Sequence, residues 1–126
     1  VVFNKKNIIN FHEDVSSELS TIEGFSNSDL NKRKKKTTYE VEAVTLNEIF
    51  KESLKTNYVD FISIDTEGTE LIILENFNFK KYKFGFLCVE HNFTDNREKI
   101  HELLIENGYK RIYVEYSKWD DFYVPN

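Results

Sequence analysis

Helix signals and strand signals alternate from Thr45 to the C terminus, and this alternation constrains the fold more than any other feature. Thr45 and Glu48 have the spacing of a capping box, and apolar residues then recur on one helical face. Residues 58 to 64 are typical of a strand, and an apolar stripe from about residue 68 predicts a second helix. Residues 84 to 89 are so continuously apolar that we expect a strand buried on both faces.

The same alternation continues with a third helix and two strands. Asp95 and Glu98 repeat the capping spacing, and Gly108 is placed to end the helix in a left-handed residue. Residues 109 to 116 and 122 to 124 favour two strands joined by a short antiparallel connection. Strands that alternate with helices form a mainly parallel sheet. The predicted fold class is therefore α/β, with a mostly parallel sheet and a C-terminal antiparallel hairpin.

The N-terminal third lacks this regularity. Residues 1 to 36 favour short β-prone pieces and a long polar loop, whereas residues 37 to 126 form the regular part. A chain of 126 residues with 40% hydrophobic content is the size of one domain with a real core. The chain opens directly on the β-favouring run Val1, Val2 and Phe3, so we expect a truncated domain that begins inside a structural element.

Charge and hydropathy exclude several classes of partner. A net charge of −5 disfavours electrostatic nucleic-acid binding, which needs a basic face, and the basic run at residues 32 to 36 is interpreted as a solvated loop. No apolar stretch is long enough to span a bilayer, so no membrane partner is expected. The single cysteine, Cys88, fits a reducing compartment, and the predicted location is cytoplasmic.

Two polar clusters follow the two central strands. Residues 65 to 68 come directly after the first strand, and residues 90 to 92 come after the second. Ligands of parallel sheets bind beyond the carboxyl ends of the strands, so neighbouring strands would bring both clusters to one crevice. Asp65 could simply cap the following helix, but its position favours a functional role.

The roles of the second cluster stay open at this point. Glu90 and His91 could form a general base with a tuned pKa, or an ordinary hydrogen-bonded structural pair. Together with Asp65 they could also bind a divalent cation, but no spacing of metal ligands supports this, and no metal is predicted. The aromatic and acidic residues 119 to 123 are interpreted as a hydrophobic clasp whose acids keep a sheet edge soluble.

Several segments together resemble the FkbM family of S-adenosylmethionine-dependent methyltransferases. The most specific is IDTEGTE at residues 64 to 70, and others are VTLNE at 44 to 48, VEHN at 89 to 92 and SKWDDFYV at 117 to 124. The resemblance is firm from about Tyr39 to the end of the chain and weaker before it, where residues 19 to 22 correspond best. It implies a Rossmann-like sheet and methylation of a hydroxyl group on a sugar or another small metabolite.

The resemblance also assigns candidate residues. It implies cofactor binding by Asp65, Glu67, Gly68 and Glu70, and catalysis by Asp65, Glu90 and His91. The glycine-rich loop of the family is missing, since all four glycines are isolated and no G-x-G occurs. We therefore expect the C-terminal half of such a domain, a partial Rossmann-like fold that binds S-adenosylmethionine weakly or not at all and is inactive alone.

If the first half of the domain is missing, one strand of the sheet loses its neighbour. The strand at residues 58 to 64 would become an exposed edge, unless residues 38 to 44 fold back to cover it. We expect a homo-oligomer formed through this edge or by exchange of the N-terminal segment. The alternative to an enzyme fragment is a stand-alone half-domain that acts as a binding or assembly module.

Overall fold

The first of two β-sheets lies in the N-terminal third of the chain. The computed structural model describes residues 1–25 and 32–126. The sheet contains strands β1 (Asn7–Asp14), β2 (Thr21–Ile22) and β3 (Lys35–Ala43), antiparallel and in the order β2-β1-β3. Sequence reasoning predicted only short β-prone pieces here, whereas β1 and β3 pair over almost their whole length. The part of the predicted polar loop at residues 26 to 31 lies outside the described residues.

The second sheet carries the alternation predicted from the sequence. Its strands are β4 (Tyr58–Ile64), β5 (Lys83–Glu90), β6 (Tyr109–Ile112) and β7 (Asp120–Pro125), in the order β4-β5-β7-β6. Strands β4 and β5 are parallel, but β7 lies between β5 and β6 and is antiparallel to both. The mixed α/β class is confirmed. The expected mainly parallel sheet is reduced to one parallel pair, because β7 pairs with β5 as well as with its hairpin neighbour.

Helices connect these strands. Helix α1 (Leu46–Glu48) continues as π-helical turns at Ile49–Leu54, and helices α2 (Glu70–Glu75) and α3 (Asn96–Glu106) follow. The predicted capping box is confirmed: the Glu48 N–H donates to Thr45 Oγ1 at 3.1 Å, and the Thr45 N–H donates to the Glu48 carboxylate at 2.8 Å. None of the described helices has both the length and the apolar character that a bilayer crossing requires.

The second predicted capping box does not form. The Asp95 side chain makes no capping hydrogen bond, because its backbone is already helical at φ −62° and ψ −16°. An N-cap residue needs extended backbone to turn its oxygen toward the helix. Gly108 ends α3 as predicted, with a φ of +86°.

An aromatic core joins the helices to the second sheet. The Phe84 ring of β5 lies 5.7 Å from that of Phe50 in the π-helical segment and 4.6 Å from that of Phe77 after α2. The opposite face of the sheet is bare: Phe61 is 59% exposed and Phe86 is only partly buried. The prediction that β5 is buried on both faces is therefore wrong, because all three helices supply their core residues to one cluster that leaves Phe61 and Phe86 outside it.

The basic run at residues 32 to 36 is the predicted solvated loop only in part: Lys32 and Lys34 are exposed and irregular, but β3 begins at Lys35 and Arg33 is held by contacts. The Arg33 side chain is only 6% exposed, and its guanidinium lies 2.6 Å from the Glu67 carboxylate. Its Nε also donates to the carbonyl of Leu19 at 2.7 Å. This ion pair fastens the first sheet to the loop that follows β4.

Candidate functional site

Two acidic side chains meet where the parallel strands end. Ile64 and Val89 are partners in the ladder between β4 and β5, so the next residues, Asp65 and Glu90, lie side by side. One carboxylate oxygen from each of Asp65, Glu70 and Glu90 lies within 4.8 Å of the other two. The predicted convergence of the two clusters is thus present, and Glu70 joins it as a third acid. We call these three residues the acidic cluster.

The loop between β4 and α2 is held in place by Glu70. One oxygen of its buried carboxylate accepts hydrogen bonds from the Thr66 N–H at 2.7 Å, the Thr66 hydroxyl at 2.9 Å and the Gly68 N–H at 3.2 Å. Glu67 and Gly68 both have left-handed backbone, with φ of +56° and +105°. A left-handed glutamate is uncommon, and such positions concentrate at functional sites.

Glu90 has an unusual acidity. Burial raises the pKa of Glu90 to about 8, together with the negative charges of Asp65, Glu67 and Glu70 and a hydrogen bond to Asp65. Two carboxylates this close do not both ionise readily, so one keeps a proton. At neutral pH the Glu90 carboxyl therefore holds a proton.

Replacing Glu90 by glutamine should stabilise the protein at alkaline pH. A raised pKa in the folded state gives stability that is fully present below the ordinary value of 4.5 and is lost as the pH rises through about 8. Glu90 is only partly buried, so solvent screening reduces the effect, and we expect Glu90→Gln to gain about 1–2 kcal/mol at about pH 9. Urea unfolding at several pH values measures this. Glu75→Gln, on the exposed end of α2, is the control; equal curves for the two variants would contradict the raised pKa.

His91 belongs to a different set of contacts. Its Nδ1 accepts a hydrogen bond from the Phe93 N–H at 3.0 Å, and its Nε2 lies 3.3 Å from the Ser117 hydroxyl. Burial lowers the pKa of His91, against the opposing charge of Asp121, so the ring is kept neutral. The predicted catalytic role of His91 stays a prediction, and these contacts favour the structural alternative.

The ring of His91 faces an ion-pair network that sequence reasoning missed. Asp121, 2% exposed, accepts two hydrogen bonds of 2.8 Å from Arg97, one of 3.1 Å from Arg111 and one of 2.8 Å from Ser117. Burial alone would raise the pKa of Asp121, but these hydrogen bonds outweigh it and lower the pKa to about 2. The prediction that this acid keeps a sheet edge soluble is wrong. The two arginine partners of Asp121, Arg111 and Arg97, lie 10 and 24 residues away in the sequence, and no local pattern links them to it.

Two cavities border the acidic cluster. A space of about 10 Å³ between the two loops has room for little more than one water molecule. A larger cavity of about 380 Å³ lies between the first sheet and the β4–α2 loop; we call it the cleft. It is of ligand size, and its lining combines apolar and acidic residues: Val1, Val2, Phe11, Ile22, Glu18, Asp65 and Glu67, with Ser20, Thr66 and Thr69 between them.

A cation is not assigned to the acidic cluster. Three carboxylates are the oxygen donors that Mg²⁺ and Ca²⁺ prefer. One oxygen of Glu70 is already committed to three hydrogen bonds within its own loop, and the proton held by Glu90 already relieves the repulsion. Cluster geometry alone is common in proteins without bound ions.

Comparison with known proteins identifies one family for this chain. The methyltransferase FkbM domain model matches residues 4–118, which include the first sheet, strands β4 to β6 of the second sheet and the acidic cluster. Strand β7 and two cleft residues, Val1 and Val2, lie outside the matched range. The match begins well before Tyr39. The family domain therefore includes the N-terminal sheet as well as the region from Tyr39 onward, where the resemblance is firm. No curated protein and no solved structure matches the chain. The family match covers far more than half of the 126 residues, and the chain belongs to the methyltransferase FkbM domain family.

Proposed function

We propose that this chain supplies the acid–base side of an S-adenosylmethionine-dependent O-methyltransferase site. The observation that carries the proposal is the convergence of Asp65 and Glu90 at the ends of two parallel strands, where Asp65 borders a cleft of about 380 Å³. Crevices at this end of a sheet are where α/β proteins bind ligands. The substrate class that follows is a small molecule with a free hydroxyl group.

The fit of the residues to the cofactor is partial. S-adenosylmethionine carries a sulfonium and an ammonium group, and the exposed carboxylate of Asp65 suits a positive charge, whereas that of Glu67 is already paired with Arg33. When bound, the cofactor supplies the methyl group. Among the described residues no glycine-rich turn is present to cradle it, and the Gly68 N–H is already bonded to Glu70. We therefore propose that the isolated chain binds the cofactor weakly and is inactive alone.

Asp65 and Glu90 would accept and pass on the hydroxyl proton of the methyl acceptor. As the acceptor oxygen bonds to the methyl carbon, its O–H proton must leave, and a carboxylate within hydrogen-bond reach can take it. Asp65 is the exposed member of the acidic cluster and faces the cleft, so it is placed to accept that proton. Glu90, with a pKa of about 8, is suited to exchange the proton with Asp65 near neutral pH.

The test is transfer of a labelled methyl group by the protein expressed from its complete reading frame. Loss of a general base typically costs a factor of about 10²–10⁴ in rate, and we expect a loss of that order for Asp65→Asn, a smaller one for Glu90→Gln, and none for the control Glu75→Gln. Calorimetry on the 126-residue chain should show no saturable binding of S-adenosylmethionine. Micromolar affinity, which is about −8 kcal/mol, would contradict the partial site, and full activity of Asp65→Asn would contradict the role of the pair.

A second candidate function is an assembly module without catalysis. The bare sheet face and the edge of β4, which has no strand partner on its outer side among residues 1–25 and 32–126, favour this alternative, because both are typical of surfaces that pair with another chain. Methyl transfer by the complete protein would separate the two. Its absence in every variant would favour the assembly module.

A further inference from the structure

A fourth acid, Glu67, lies at the strand ends beside the acidic cluster. It follows Asp65 by two residues and lines the cleft with it. One oxygen of its carboxylate lies 2.6 Å from Nη2 of Arg33, in the segment that leads into β3. The side chains of Arg33 and Glu67 are 6% and 12% exposed, so this ion pair is largely shielded from water. The Glu67 carboxylate therefore lies against the first sheet and not within the acidic cluster.

Arg33 can hold Glu67 in this place because its guanidinium reaches two segments at once. Its Nη2 binds the Glu67 carboxylate, and its Nε donates to the Leu19 carbonyl at 2.7 Å, at the end of the helical turn Ser17–Leu19. The N–H groups of a guanidinium form a rigid planar fork. Two acceptors in different directions therefore fix the orientation of the Arg33 side chain.

The backbone of Glu67 is held as well. The Thr21 hydroxyl, on β2, donates to the Glu67 carbonyl at 2.9 Å, and Thr21 is buried. Glu67 has a φ of +56°, which residues with a side chain rarely adopt, and such backbone persists where surrounding contacts hold it. The first sheet thus holds the Glu67 side chain through Arg33 and its backbone through Thr21.

We propose that Arg33 is a positioning residue of the acid–base site, which holds the Glu67 carboxylate against the first sheet and neutralises its charge beside the acidic cluster. The inference rests on the proposed function, in which Asp65 takes the hydroxyl proton of the acceptor. Asp65 can do this only while it is ionised, and a fourth carboxylate that is not neutralised would favour a second proton on the acidic cluster. Arg33 thus keeps the base available near neutral pH.

Glu90 reports the charge at this site. The groups that face it are Asp65 and Glu67 of the β4–α2 loop, Glu70 of α2, Asp120, its ladder partner in β7, and the Cys88 thiol two residues before it in β5. Burial, followed by the charges of the first three acids, raises the pKa of Glu90 to about 8. The charge of Glu67 is the one among these that Arg33 opposes directly.

The titration of Glu90 in the 126-residue chain tests this role and needs neither cofactor nor acceptor. Carbon-13 NMR of labelled glutamate carboxyl groups follows the titration, and Glu90→Gln assigns the signal. Arg33→Gln removes the positive charge and keeps that of Glu67, so the Glu90 midpoint should rise by about 0.5–1 pH unit. Glu67→Gln removes the negative charge and keeps that of Arg33, so the midpoint should fall by a similar amount.

A double variant separates the charge pair from a loss of packing. Arg33→Gln combined with Glu67→Gln removes both charges and should return the Glu90 midpoint to the wild-type value, which a merely structural role would not do. Lys34→Gln is the matched control, since it removes an exposed positive charge from the neighbouring residue and should leave the midpoint unchanged. Arg33→Lys keeps the charge but lacks the planar fork, and it should raise the midpoint less than Arg33→Gln does.

Two results would overturn the proposal. One is an unchanged Glu90 midpoint in Arg33→Gln or, if circular dichroism shows that this variant is unfolded, in Glu67→Gln. The other is a double variant whose midpoint stays as high as that of Arg33→Gln, because Arg33 would then not act through Glu67. A failure of the proposed methyl transfer would leave all these midpoints as they are, so the two proposals fail in distinguishable ways.

Discussion

Replacing Asp121 by alanine should lower the free energy of unfolding by about 3 kcal/mol near neutral pH, because it removes the carboxylate that Arg97 pairs with and leaves Arg111 only the exposed Glu98. Asp121 is the single acid that Arg97 and Arg111 share, and its carboxylate accepts four hydrogen bonds. The Ser117 hydroxyl would lose this partner as well. Urea unfolding followed by circular dichroism measures the change.

Two further variants separate charge from packing at this position. Asp121→Asn keeps the shape and removes the charge, and we expect it to recover only part of the loss. Asp120→Ala is the matched control, since the neighbouring acid has no ion pair among the described residues. Equal stabilities for the Asp120 and Asp121 variants would contradict the importance of the network.

The effect of Asp121→Ala should also depend on pH in a defined direction. A lowered pKa in the folded state gives stability that is present above the ordinary value of 3.8 and is lost as the pH falls toward about 2. The difference between wild type and Asp121→Ala should therefore shrink over this acid range. A difference that stays constant down to about pH 2 would mean that packing, not charge, causes the loss.

The contacts of Asp121 also explain why the sequence alone could not assign the role of His91. His91 follows Glu90 directly, and sequence alone left it open as a catalytic base. In the structure the two side chains part: Glu90 joins Asp65, and His91 turns to Ser117 and the ion pairs of Asp121. Adjacent strand residues point to opposite faces, so neighbours in sequence need not share a site.

Signals that depend on nearby residues predicted structure well. The bounds of β4 and the bonds of the Thr45 capping box agree with the structure because both depend on a few consecutive residues. The convergence of Asp65 and Glu90 could also be predicted, since it needs only that β4 and β5 be parallel neighbours. For the third member, Glu70, cofactor binding stays a prediction, and its bonds to Thr66 and Gly68 show that it holds the loop in place.

Features set by distant partners could not be predicted. The N-terminal sheet is an example: β1 and β3 are polar, and their pairing joins residues such as Asn7 and Ala43 across a long connection. Propensity in such strands is weak, and pairing decides the structure. Arg33 likewise belongs to a basic run that is usually solvated, and only its approach to Glu67, 34 residues away, buries it.

Truncating Phe84 to alanine should have the largest effect on stability, a loss of about 3–5 kcal/mol. The Phe84 ring is fully buried, contacts aromatic rings from three other segments, and lies on the strand that ends in Glu90. Its backbone N–H also donates to the Tyr109 hydroxyl at 2.9 Å, so a cavity here loosens the join between β5 and β6. Because small domains are stable by only about 5–15 kcal/mol, this one truncation removes a large share of the total.

The measurement is urea unfolding at one fixed protein concentration, because association would otherwise shift the apparent stability. Phe93→Ala is the matched control, since that ring is 58% exposed and its removal should cost less than about 1 kcal/mol. Phe84→Leu keeps most of the volume and serves if the alanine variant does not fold; we expect it to lose about 1–1.5 kcal/mol. If Phe84→Leu and Phe93→Ala both left the unfolding midpoint unchanged, the aromatic core would not hold the helices against β5. It would then also not be the cause that keeps the two acidic strand ends in register.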